Sequence, residues 1–277
     1  MELVFAAADG VFRMDELTGR LDFAIMVFGI GIGAFGGGFL HDRFGPRPVA
    51  LTGALMWGLG YLLAGLGTAH FGLLWLYLTY GIVGGIGGGM AYLVPGAVVT
   101  KWFPRHRGLA NGVTLFGFGA GSLVYNAIVA AIPQFARAAD VATPVIMARH
   151  DAARAGTSLI LSPHAHAADI HAVMAILFWS GVVMIAIGGL SALGIEAPRT
   201  VATAIQPDGE RDYSPRKMLR TRAFYAIWAI VFIDCFAGLA LLANAVPIYS
   251  ELTGVGALKA TVIYGWLSIF NGIGRLL

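Results

Sequence analysis

The sequence predicts an all-α, polytopic membrane helix bundle of about seven spans. Three observations carry that prediction. Only 12% of the 277 residues are charged and 58% are hydrophobic, against about 25% charged in a soluble domain. The apolar residues gather in blocks of about 20 residues or more, the length that crosses a hydrocarbon core of about 30 Å. These blocks are apolar all round, without the single stripe of a soluble surface helix.

The spans run, in order, over 18–40, 49–69, 72–99, 108–132, 171–194, 223–248 and 259–277. In hydrocarbon every backbone N–H and C=O must bond within its own segment, so each span is expected to be a helix. The first carries Gly29, Gly33 and Gly37, the third Gly81, Gly85 and Gly89, and the fourth Gly117 and Gly121. Spacing by four clears one helix face and lets a neighbouring backbone approach.

Between the first two spans stands "GGGFLHDRFGPRP", with His41, Asp42, Arg43 and Arg47 in otherwise apolar surroundings. Gly38 is expected to let the two helix ends approach, and Gly45 with Pro46 to turn the chain. Asp42 is expected to cap a helix N-terminus or pair with a basic side chain. A long loop, 133–170, separates the fourth and fifth spans and holds His150, His164 and His166, with His171 just after it. No cysteine joins them and the loop is rich in alanine, so no metal site is expected there. The stretch 195–222 holds three prolines and most of the clustered charge. It divides the chain into a helical half over 1–194, a linker over 195–222, and the start of a second half over 223–277.

Lysine and arginine set the orientation. Eleven lie in the first, third and fifth connections and six on the opposite side, three of those in the long loop. The first, third and fifth connections are therefore expected to be cytoplasmic. The net charge of +3 sits in these short loops and does not point to nucleic acid. Cys235, the single cysteine, gives no disulfide framework. Residues 1–13 hold two acids and no basic start, so no cleavable signal peptide is expected. No G-x-x-x-x-G-K-[ST] loop and no nucleophile–base arrangement occur, so neither ATP hydrolysis nor another enzyme activity is expected. A retinal protein would need a lysine inside its last helix, where this chain has Arg275.

Ionisable residues inside a span are functional candidates because each is costly in hydrocarbon. Asp234 lies mid-span, a candidate for proton coupling. Arg275 follows Asn271 by four residues on one helix face. Tyr92, near Pro95, offers a phenol to an anion.

The hairpin motif resembles the signature loop of the major facilitator superfamily, which Gly38, Asp42, Arg43, Gly45 and Arg47 match; Pro46 and Pro48 stand where basic residues are commoner. In that family the loop joins the second and third helices and latches the inward gate. "YLVPGAVVTKWFPRHRGLANG", 92–112, resembles the oxalate/formate antiporter and monocarboxylate transporter branch through Tyr92, Pro95, Lys101, Trp102, Phe103, Pro104, Arg107, Gly108, Leu109 and Ala110. The repeat of "GIGA" at 31–34 as "GIGR" at 272–275 matches the parallel six-helix halves of such carriers.

The resemblance implies a secondary transporter of small organic anions by alternating access, in the cell (inner or plasma) membrane and without a prosthetic cofactor. A proton or a counter-anion would be the second partner. It implies that Arg275, at the place of the branch's eighth-helix arginine, holds the substrate carboxylate, with Asn271 and Tyr92 beside the site. On the twelve-helix template the chain is expected to lack the first helix and the last four. Two other readings stay open: a major facilitator carrier of another class, such as a sugar or drug carrier, and a truncated membrane remnant that does not transport.

Overall fold

The computed structural model describes residues 4–7, 10–13, 16–132, 163–196 and 215–254, together with 263, 266, 270, 273 and 274. A short antiparallel hairpin, β1 Val4–Ala7 with β2 Gly10–Arg13, precedes the helices. It lies outside every span, and the spans themselves are helical.

Helix α1, Glu16–Phe44, has 29 residues and so is about 43 Å long. That exceeds the hydrocarbon thickness, so its last turn, His41–Phe44, lies beyond the apolar span that ends at Leu40. Gly45 turns the chain at φ 84, a value that only glycine adopts without strain. Pro46 then opens α2, Pro46–Phe71, where its missing N–H costs nothing.

After Gly72, helix α3 runs from Leu73 to Trp102. It is α-helical over Leu73–Leu76, π-helical over Tyr77–Gly84 and α-helical again over Gly85–Trp102. Helix α4 spans Arg107–Ala131. Helix α5 runs from Pro163 to Leu193 with a π-helical turn at Met184–Gly188. A short α6, Pro215–Met218, leads to α7, Arg222–Thr253.

Six of the seven expected spans are thus helices. The seventh, 259–277, is described only at Ile263, Trp266, Phe270 and Ile273, all helical, and at Gly274 in a turn. Among the described residues four helices, α1, α2, α3 and α5, are long and apolar enough to cross a membrane. One boundary differs from expectation: α5 begins at Pro163, eight residues before the apolar span. Proline is favoured in the first helical turn, and the alanines after it prolong a helix without adding much hydrophobicity.

The helices pack through three glycine seams, the third joining Gly53 and Gly60 of α2 to Gly87 and Gly84 of α3. In the first, Gly29, Gly33 and Gly37 of α1 face Gly81, Gly85 and Met90 of α3. A side chain on Gly33 would collide with the Ile86 carbonyl, and one on Gly89 with the Ile30 carbonyl. In the second, Gly58 and Gly65 of α2 lie against Gly181 and Met174 of α5. The predicted close approach therefore holds for α1 and α3. Among the described residues it is not seen for Gly117 and Gly121, where an added side chain would meet nothing within 4 Å. Gly38 is likewise not the point of approach, for a side chain there would meet only Leu93 at 3.9 Å; Gly37 faces α3 instead. Val94 and Ala64 are fully buried in the resulting core.

Candidate functional site

Polar side chains gather at the two ends of this packed unit. At one end the last turn of α1, the α1–α2 turn, the end of α3 and the end of α5 meet. Arg47 donates to Glu196 at 3.2 Å, across 149 residues of sequence. The Trp102 indole N–H donates to the Glu196 carbonyl at 2.9 Å. The Lys101 ammonium lies 3.5 Å from His41 Nε2. The first connection, the start of the third and the start of the fifth therefore share one end of the bundle, the grouping that the lysine and arginine count required.

His41 is 7% exposed, and its Nδ1 has no hydrogen-bond partner among the described residues. Burial first, then the neighbouring Lys101 charge, hold its pKa below the usual histidine value, with Asp42 opposing them. Sequence reading placed His41 in the hairpin but not in its interior.

The signature residues occupy this same end. Asp42 and Arg43 are exposed, and the Arg43 guanidinium lies 5.4 Å over the Phe44 ring. Asp42 does not cap α2: the cap position is Gly45, which makes no side-chain hydrogen bond. The reason is that α1 continues through Phe44, which leaves Asp42 inside a helix.

At the opposite end Asp22, in the second turn of α1, points one carboxylate oxygen into the bundle, where it has no partner among the described residues. Gly81 of the π-helical stretch leaves the room, since a side chain there would come within 3.7 Å of that oxygen. Tyr61 and Tyr80 stand nearby, ring to ring at 4.8 Å. Farther round, the Tyr125 hydroxyl shares a 3.0 Å hydrogen bond with Ser180, which ties α4 to α5. Sequence reading singled out the mid-span Asp234 and passed over Asp22. The signal was there, an acid inside the apolar run "RLDFAIMVF".

An apolar groove of about 320 Å³ lies between α2, α3 and α5, lined by Ala50, Ala54, Trp57, Pro95 and Ile187 among others. Tyr92 is not among its described lining residues. Tyr92 is on α3, 45% exposed. Asp234 is on α7, with its side chain outside the described residues, and Asn271 and Arg275 lie outside them altogether.

Glycine-seamed helices of membrane length, joined at one end by a Gly-Asp-Arg-Gly-Arg hairpin, correspond to a known family. Residues 11–277 match the family model of the Major Facilitator Superfamily. The chain belongs to that superfamily. It is thereby a multi-pass membrane protein, as the signature hairpin implied. This major facilitator chain is 27% identical over 238 residues to the oxalate:formate antiporter of Oxalobacter formigenes, covering 86% of this chain and 47% of that protein. It is 36% identical over 118 residues to monocarboxylate transporter 13 of Bos taurus, 42% of this chain and 27% of that one. It is also 33% identical over 131 residues to apicoplast pyruvate carrier 1 of Toxoplasma gondii, 46% of this chain and 22% of that one. The chain spans about half the length of the first two curated relatives it matches.

Proposed function

We propose that the major facilitator protein carrying this sequence is a secondary carrier of small organic anions, mono- or dicarboxylates such as lactate, formate or oxalate. It works by alternating access in the cell membrane, exchanging its substrate for a counter-anion or moving it with a proton. The observation that carries this reading is the similarity to the oxalate:formate antiporter along 86% of the chain. Arg275 anchors the carboxylate, because a guanidinium stays charged when buried and offers a planar fork that fits two oxygens. Asn271, one turn earlier on the same face, and the Tyr92 phenol complete the anion's hydrogen bonds. Asp234 carries the proton where one is coupled, and the Gly38–Arg47 hairpin gates the inner side.

The test is uptake of labelled oxalate, formate and lactate by vesicles containing the protein that carries this sequence. Saturable uptake of at least one is expected. Arg275→Ala and Arg275→Lys should each lower it tenfold or more, since lysine keeps the charge but loses the fork. Asp234→Asn should flatten its pH dependence. Wild-type affinity of Arg275→Ala for every carboxylate would remove the anion assignment.

A further inference from the structure

We propose that His41 and Lys101 form a proton-operated clasp between the α1–α2 hairpin and the end of α3, closed when His41 is neutral and released when it takes a proton. A lysine ammonium has three donors and no acceptor. The 3.5 Å approach of Lys101 Nζ to His41 Nε2 can therefore be a hydrogen bond only if Nε2 carries no proton. Neutral imidazole keeps its hydrogen on the other nitrogen, so Nδ1–H is the donor left without a partner among the described residues.

A second proton has nowhere favourable to go. On Nε2 it removes the acceptor that Lys101 uses and sets two cations 3.5 Å apart. The residue is only 7% exposed, so an imidazolium there is poorly hydrated unless the hairpin moves. The charged groups acting on His41 are few. Lys101 from α3 opposes the proton and Asp42 from its own helix favours it. Arg47 of α2 and Glu196 at the end of α5 are engaged with each other at 3.2 Å. Among the described residues, no carboxylate from another helix is thus placed to compensate an imidazolium.

The sign follows. Histidine in an open, water-filled hairpin titrates near its ordinary value, about 6.5, and in the closed clasp below it. Between those two values the open form binds more protons, so acidification shifts the equilibrium toward opening. Above about pH 7 the clasp is closed. The effect requires a pH drop on the face that holds the hairpin, and it does not depend on which anion is carried.

The chain, purified into lipid nanodiscs with labelled histidine, decides it by magnetic resonance from pH 5 to 8. One imidazole should titrate below the ordinary histidine value, and its signal should be missing in His41→Gln. In Lys101→Met the same signal should move up by half a unit or more, which burial by itself does not produce. Hydrogen exchange across 38–47 should quicken tenfold or more as that imidazole protonates. In His41→Gln, whose amide oxygen accepts from Lys101 at every pH, exchange should not change with pH. Titration of His41 at or above the ordinary histidine value would overturn the clasp, as would a signal unmoved by Lys101→Met. If His41→Gln does not fold, the shift in Lys101→Met still decides, because it needs only the native histidine.

Discussion

The α1–α3 seam and helix α4 carry glycines at the same four-residue spacing and use them differently. On the seam, Gly33 and Gly89 bring backbone against backbone, with no room for a side chain. On α4, a side chain at Gly117 or Gly121 would meet nothing within 4 Å among the described residues. Helix α4 is held by side chains instead: Asn111 approaches Gly96 of α3, and Tyr125 meets Ser180 of α5. A small-residue face lowers the cost of close approach but does not supply a partner. It becomes a seam only where the facing helix presents a complementary face, as α3 does to α1. In a bilayer, where lipid tails are as apolar as side chains, such close packing is itself a main source of attraction between helices.

The comparison breaks most visibly at Gly89. Gly89→Val should cost more than about 4 kcal/mol of unfolding free energy, because two packed backbones must separate; denaturation by dodecyl sulfate titration measures it. Tyr125→Phe should cost less, about 0.6 and at most about 1.7 kcal/mol, the range for hydrogen bonds between membrane helices. The same titration should show that loss vanish in a Ser180→Ala background. Gly117→Ala should be smallest, within about 0.5 kcal/mol of zero. If Gly117→Ala and Gly89→Ala cost the same, the two glycine series are not different in kind.

The clasp end divides in its legibility. The turn could be read locally: Gly45 and Pro46 are adjacent, and each restricts the backbone on its own. The expected cap by Asp42 was also a local argument and failed, because nothing in "HDRF" shows that α1 runs one turn past its apolar stretch. The burial of His41 was out of reach, since its partner Lys101 is 60 residues away. The Arg47–Glu196 pair was farther out of reach still, at 149 residues.

By itself the sequence determined that this chain forms apolar helices, roughly where they lie, and which connections share a side. It also pointed to the family. Those properties follow from hydrocarbon thickness, backbone hydrogen bonding and charge, which act on each segment separately. Only the tertiary structure decided which glycine faces become seams, that Asp22 turns an unpartnered oxygen inward, and that His41 sits against Lys101. Each of these is a relation between segments distant in sequence, and its energy depends on a partner's position to within a few tenths of an ångström, information that no single segment holds.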